Sequence, residues 1–401
     1  MMRRAILMSA MLIFLSACTA KMPEDAGVKI YDTFYIPQYA QPEPNDATLK
    51  YYLQKVLYDT AGFGRLSAEA AENPRQLVRD VGENQFLNEQ MKNTGIISYL
   101  YYDNGVIKYD ALSNENRFGY LIDDDTPLWT HSIGKSWTSY LLGHAICRGE
   151  IDDVYSRIDD WPLIDGTLYE DQRLIDLINM RAGDQFVVTE ADGLIESGRW
   201  FNVHPLSSFA QLELAGTSPA SREYNYNGLV TNVVLNYVLY KVEDEETFLN
   251  DVFTTNARIE NPLFFLTQRS IPLELGPVRY SARASRYDFL RVGIAMLDDW
   301  NNNGCMNNYF RTLLDESKRK GFASRQHPHK NESALRYGGF YHTHYVGMRN
   351  RNVLGMDGYG GQSQLIDFDN NRIVSVNTIH TNYDWGELVY RAIKHGDIQK
   401  E

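Results

Sequence analysis

The chain has 401 residues, with 52 acidic against 39 basic side chains, 43% hydrophobic and 12% aromatic residues and three cysteines, which excludes a disordered acidic tail and describes an ordinary folded protein. A formal charge of −13, with no basic run longer than Lys318-Arg319-Lys320, excludes nucleic acid as a partner. The length allows two or three domains, or equally a single catalytic unit with an inserted subdomain.

In chain order, Arg3 and Arg4 precede the apolar run Ala5 to Leu15, which gives way to Ser16-Ala17-Cys18. The run is shorter than the roughly 20 residues needed to span a bilayer, and its basic, apolar, small-residue order reads as an export signal over residues 1–17. Leu15-Ser16-Ala17-Cys18 resembles a bacterial lipobox, which implies a lipid on Cys18 and a membrane-anchored lipoprotein. Thr19 after the cysteine points to the outer membrane, with the protein facing the periplasm. Residues 18–47, interrupted by Pro23, Pro37, Pro42 and Pro44, read as a tether that Tyr31, Phe34, Tyr35 and Tyr39 could drape on the folded part.

The folded domain is expected over residues 48–398. Thr48 to Tyr58 and Ser67 to Val81 read as short helices. Gly95 to Tyr102 and Val106 to Tyr109, around Asp103-Asn104-Gly105, read as a β-hairpin. Ser363 to Phe368 and Arg372 to Asn377 read as two further strands, and Trp385 to Lys394 as a terminal helix. Strands thus stand at both ends and most helical pattern lies between them, so the predicted class is α+β: an antiparallel sheet flanked by helices, with a mainly helical region inserted over roughly 132–285. Cys147 and Cys305 leave two readings open, an exported-compartment disulfide or two free thiols, and the apolar surroundings of Cys147 favour a small buried hydrophobe.

The chemistry concentrates at Ser132-Ile133-Gly134-Lys135. If Ser132 opens a helix, Lys135 one turn later stands beside its hydroxyl, and the helix N-terminal amides place partial positive charge where an oxyanion would form. A serine hydroxyl needs such a neighbouring base to become a nucleophile. By itself Ser-x-x-Lys is also what an N-capping serine and a solvated lysine would give.

The surroundings add to it. Ser132-Ile133-Gly134-Lys135-Ser136-Trp137-Thr138-Ser139 resembles the first active-site motif of the serine β-lactamase and penicillin-binding protein superfamily, in the branch of class C β-lactamases, esterases and aminohexanoate-dimer hydrolases. Asp171 to Gly183 and Ala284 to Gly293 are similar to two further segments of that branch, and the resemblance runs from about Gly95 to Val376. It implies a β-lactamase-like (DD-peptidase) fold with Ser132, Lys135 and Tyr226 as catalytic groups. Tyr226 fits the family's Tyr-x-Asn loop, with Tyr224 as the aromatic two residues before it, although Gly228 stands at the third position; Asn227 or Asn225 is then left to supply the amide. Gly358-Tyr359-Gly360-Gly361-Gln362 resembles the glycine-rich third element, which implies that the Tyr359 and Ser132 amides form an oxyanion hole and that Gly358, Gly360, Gly361 and Gln362 line the substrate. Read without the resemblance, the same glycines are what a tight turn would give.

The histidines offer a competing reading as a metal site, since His342 and His344 would share one strand face and His327-Pro328-His329 lies shortly before, but no carboxylates repeat at ligand spacing. His342 and His344 are therefore candidates for lining the substrate cleft, and no metal or other cofactor is expected. Met356 stands where related motifs carry a lysine facing the substrate's carboxylate, which predicts weak binding of acidic substrates unless a cation such as Arg349 or Arg351 enters the cleft. The expected function is a serine hydrolase acting on a small ester, amide or peptide through an acyl-enzyme. The alternatives are β-lactam or cell-wall peptide hydrolysis and a catalytically silent binding protein of the same fold. The sequence does not specify an oligomeric state.

Overall fold

The computed structural model describes residues 27–31, 35–37, 43–58, 63–188, 205–320 and 333–398. Cys18, Phe34, Tyr39, His327 and His329 lie outside the described residues. Among the described residues thirteen strands form two sheets: β1 (Phe63–Ala68), β2 (Val78–Arg79), β3 (Ile96–Asp103), β4 (Val106–Leu112), β5 (Leu128–Trp129), β6 (Leu263–Gln268), β7 (Val278–Ala284), β8 (Lys318–Arg319), β9 (Ala334–Gly338), β10 (Tyr341–Tyr345), β11 (Val353–Asp357), β12 (Ser363–Asp367) and β13 (Arg372–Thr378). Among the described residues the helices of twelve residues or more are α1 (Asp46–Tyr58), α2 (Ile133–Cys147), α3 (Leu229–Lys241), α4 (Arg286–Asn301) and α5 (Cys305–Glu316).

The larger sheet runs β2-β4-β3-β13-β12-β11-β10-β9-β8, antiparallel throughout except where β2 pairs parallel with β4. The β3–β4 hairpin turns at Asn104 and Gly105, whose φ values of 49° and 93° are those an Asn-Gly turn supplies. Both faces of this sheet are covered. Leu100, Leu354, Met356, Ile366 and Ile373 join the main core with the long helices, while Tyr99, Leu365, Val374 and Val376 pack with Trp385, Leu388, Val389 and Ile393 of the C-terminal segment. The mixed α+β class and the antiparallel sheet are thus as the sequence predicts.

Two features differ from the sequence reading. The expected helix over Ser67 to Val81 is instead the end of β1, a stretch without regular structure through Pro74, and β2. Leu66 and Ala68 are buried and β1 pairs along its length with β6, so a partner remote in sequence overrides local propensity. With β7 and β5 these strands make a second, four-stranded sheet ordered β1-β6-β7-β5. The other difference is that Cys147 and Cys305 form a disulfide, not buried free thiols. It joins the last residue of α2 to the first of α5, two helices held close because Gly143 leaves room for the Tyr309 ring.

Helix α2 is the centre of the molecule. Almost every side chain from Ile133 to Ala145 is buried, so it is apolar nearly all round, and Trp137 sits between Phe253 and Phe289. The start of α4 is a clamp. Ser285 caps it by accepting from the Asp288 amide, Asp288 accepts from the Glu260 and Asn261 amides, and Arg286, 2% exposed, pairs with Asp110 and Asp124. The Ser-Arg-x-Asp pattern there is accounted for by packing and capping. Among the described residues no helix is long and apolar enough to cross a membrane.

Candidate active site

Strand β5 delivers the chain to the head of α2. Thr130 is fastened to β7, its amide donating to the Ala282 carbonyl at 2.9 Å and its hydroxyl oxygen accepting from the Ala282 amide at 2.8 Å. His131 then takes a left-handed φ of 47°, an uncommon conformation for a non-glycine residue, and Ser132 follows as the N-cap of α2. The Ser132 side chain makes no capping bond to the helix and is only half-buried. Gly134 explains how the first turn fits: a Cβ there would lie 2.1 Å from the Tyr280 carbonyl oxygen of β7.

Lys135 is buried, 1% exposed, and its ammonium donates to the Asn227 carbonyl at 2.8 Å. It lies 4.0 Å from the centre of the Tyr280 ring and 4.9 Å from that of Tyr226, so two π-faces flank the charge. The Tyr226 phenol neighbours the Ser132 hydroxyl. Burial, with Tyr280 adding to it, pushes that phenol well above its ordinary pKa, while the Ser132 hydroxyl pulls the other way, so Tyr226 is a neutral phenol at rest. Ser132, Lys135 and Tyr226 are thus brought together.

The loop carrying Tyr226 is pinned from below by a residue that sequence reasoning passed over. Asp184, 1% exposed, accepts from the side-chain amides of Asn225 and Asn227, at 2.8 and 2.9 Å, and from the Tyr169 hydroxyl at 2.8 Å. Asn227 also accepts from the Val230 amide at the head of α3. Its side chain is therefore a fastener and not the substrate-facing amide expected of it; its carbonyl is what meets Lys135. Asn225 is likewise turned to Asp184 and the Val188 carbonyl. Gly228 keeps space for Tyr280, since a Cβ there would stand 3.2 Å from its ring. Tyr224 and Tyr226 both pack edge-on against Tyr337, with ring centres 5.4 and 5.9 Å away, and burial raises the Tyr224 pKa. Tyr280 and Tyr337, unremarkable among 27 tyrosines, complete an aromatic wall that no local signal marked.

The glycine-rich segment is the turn between β11 and β12. The Gly358 amide donates to the Gln362 carbonyl at 2.9 Å, and Gly360 and Gly361 have φ of 80° and 93°. A Cβ on Gly358 would lie 2.8 Å from the Thr130 carbonyl, so glycine lets the turn press against the residues leading to Ser132. Tyr359 stands beside His131, ring centres 6.0 Å apart, and its hydroxyl donates to the Ile36 carbonyl at 3.0 Å. Tyr35 packs against both rings, at 5.2 Å from His131 and 5.0 Å from Tyr359, so the segment before α1 lies against this end of the site. Gln362 is 3% exposed, and its side-chain oxygen accepts from Asn377 of β13.

His131 is stacked on Trp129, and burial together with Arg283 lowers its pKa to about 3, so it rests as a neutral imidazole. His342 and His344 do not act as one face. The left-handed φ of 56° at His344 interrupts the strand alternation, and its ring pairs with Thr343. His342 is 8% exposed, edge-on to Tyr337, 2.7 Å from the Lys320 ammonium and 3.7 Å from Asp357. Among the described residues no three His, Cys, Asp or Glu side chains gather as a metal site. Met356 is 1% exposed, and Arg351 is committed to Asp367 and to the Ile393 and Lys394 carbonyls.

No family model matches the sequence, and no curated protein does. Solved structures do match. A protein assigned as a 6-aminohexanoate-dimer hydrolase from Bacillus anthracis superposes over 88% of this chain and 95% of its own, with a TM-score of 0.62 at 13% identity. The octameric penicillin-binding protein homologue from Pyrococcus abyssi matches over 78% of this chain and 76% of its own, TM-score 0.55, 15% identity. EstCE1, a hydrolase with promiscuous acyltransferase activity, matches over 75% of this chain and 95% of its own, TM-score 0.51, 14% identity. The chain has the fold of the serine β-lactamase and penicillin-binding protein superfamily.

Proposed function

We propose that the protein is a serine hydrolase that cleaves a neutral ester or amide through an acyl-enzyme. The observation that carries the reading is that Ser132, at the head of α2, neighbours the Tyr226 phenol, whose ring lies 4.9 Å from the buried Lys135 ammonium. As Ser132 Oγ attacks the carbonyl carbon, its proton passes to the Tyr226 oxygen while the phenol proton moves to the leaving group. Tyr226 is then only transiently charged, and Lys135 stabilises the phenolate character that develops. The tetrahedral oxyanion is held by the Ser132 and Tyr359 amides, and water entering by the reverse proton path releases the acid.

The substrate preference follows from charge. Met356 supplies no cation, Arg351 is held elsewhere, and the charge of Lys320 is balanced through His342 by Asp357. A lost charge-assisted contact is worth about 1.5–3 kcal/mol, or roughly tenfold or more in specificity. Short-chain aryl esters should therefore be hydrolysed with a specificity constant at least about tenfold above that for nitrocefin or benzylpenicillin. Steady-state kinetics on the purified protein check this, and a β-lactam constant above that of the best ester would overturn it in favour of β-lactam or cell-wall chemistry.

We propose further that Cys18 carries lipid and anchors the protein to the outer membrane on its periplasmic side. The basic-apolar-small order of residues 3–18 supports this. Cys18→Ser should move the protein from the detergent-extracted to the soluble fraction with hydrolase activity unchanged. Wild-type protein found soluble and unlipidated would contradict it.

A further inference from the structure

A second chain of charged groups, separate from Ser132, Lys135 and Tyr226, leads to the same site from the far edge of the large sheet. Strand β11 ends at Asp357, and the next residues are the turn that carries Tyr359. Asp357 closes the base of that turn. It pairs across to Ser363 in the β11–β12 ladder, and the Ser363 hydroxyl donates to its Oδ1 at 2.8 Å while accepting from Trp385 Nε1 at 3.0 Å. The other carboxylate oxygen, Oδ2, faces His342 Nε2 at 3.7 Å, and His342 Nδ1 lies 2.7 Å from Lys320 Nζ.

The donor inventory fixes how this chain is wired. An ammonium only donates, so a charged Lys320 makes Nδ1 of His342 the acceptor and leaves the ring proton on Nε2, toward Asp357. His342 is buried and set edge-on to Tyr337, which itself abuts Tyr226, so the imidazole has little freedom to turn. Burial lowers the Lys320 pKa to about 8, with Asp357 opposing the shift, which places the ammonium in surroundings where each of these contacts counts for more than it would in water.

The geometry points to Lys320 as a positioning residue that, through His342, holds the Asp357 carboxylate and with it the turn presenting the Tyr359 amide to the oxyanion. The inference rests on the hydrolase reading above. Lys320 touches no reacting atom in it; it sets the tautomer and orientation of His342, and the strand end follows.

The test uses the full chain with Lys320→Met and Lys320→Arg. A lost oxyanion donor costs roughly a hundredfold or more, and a group acting on that donor at one remove should cost about tenfold. Lys320→Met should thus lower kcat on a short-chain aryl ester about tenfold with KM within about twofold, and should slow fluorophosphonate labelling to a similar degree. Lys320→Arg, which keeps a cationic donor, should recover most of kcat. Nitrogen-15 NMR of the imidazoles should find the His342 proton on Nε2 in the wild type and on both nitrogens in Lys320→Met. Wild-type kcat in Lys320→Met would overturn the inference. So would a fall in kcat matched by a lower Tm and equally present in Lys320→Arg, because that pattern is loss of packing. If wild-type protein hydrolyses no ester, the hydrolase reading fails, while an unchanged His342 tautomer in Lys320→Met would by itself refute the relay.

Discussion

Ser132→Ala should abolish covalent labelling by a fluorophosphonate and lower ester turnover by at least roughly three orders of magnitude, as removing an acyl-forming nucleophile does elsewhere. The loss should be chemical and not structural. Ser132 makes no capping bond to α2 and is half-buried, so alanine deletes one hydroxyl while the helix keeps its packing. Thermal unfolding should therefore be nearly unchanged. Equal labelling of wild type and Ser132→Ala would refute the assignment, and absence of labelling in both would favour a silent binding protein of this fold.

Lys135→Met and Tyr226→Phe should each slow acylation by roughly 10²- to 10³-fold, and the double variant should be little worse than the poorer single one. The two groups serve one proton path: Tyr226 relays the Ser132 proton and Lys135 stabilises what Tyr226 becomes. Methionine is chosen because Lys135 fills space between the Tyr226 and Tyr280 rings, where alanine would leave a cavity. The Asn227 carbonyl loses its donor in either case, so some loss of stability accompanies Lys135→Met. Single-turnover acylation rates measure the coupling, and losses that multiply in the double variant would count against a shared path.

Much of this arrangement was legible in the sequence because it is local. Ser132 and Lys135 are one helical turn apart, Tyr224 and Tyr226 share a loop, and Asn104-Gly105 specifies its own hairpin. What was not legible depends on partners far along the chain. Strand β1 is a strand because β6 lies beside it, and Tyr280 belongs to the site because Gly134 admits the backbone of β7. Asn227 shows how composition misleads: the residue type suited substrate binding, but a buried Asp184 claims its amide. The glycine segment is a tight turn by geometry, and it lies against the residues that lead to Ser132. Lys320 carried no signal, since a lysine at a strand end is ordinarily solvated; only the fold sets it beside His342.

The bond between Cys147 and Cys305 closes a loop with a sequence separation of 158 residues, and in a chain-entropy account a loop of that size contributes about 5 kcal/mol. It also changes what proteolysis would mean for this protein. Ser132 and Lys135 lie before Cys147, whereas Tyr226 and Tyr280 lie inside the loop, so a single cut between residues 147 and 226 places the nucleophile and its proton relay on different polypeptides. The two pieces would nevertheless remain one covalent molecule, held in register by α2 and α3 in the shared core. Reduction would turn such a nicked protein into two separable fragments, each with an incomplete set of the groups gathered at Ser132.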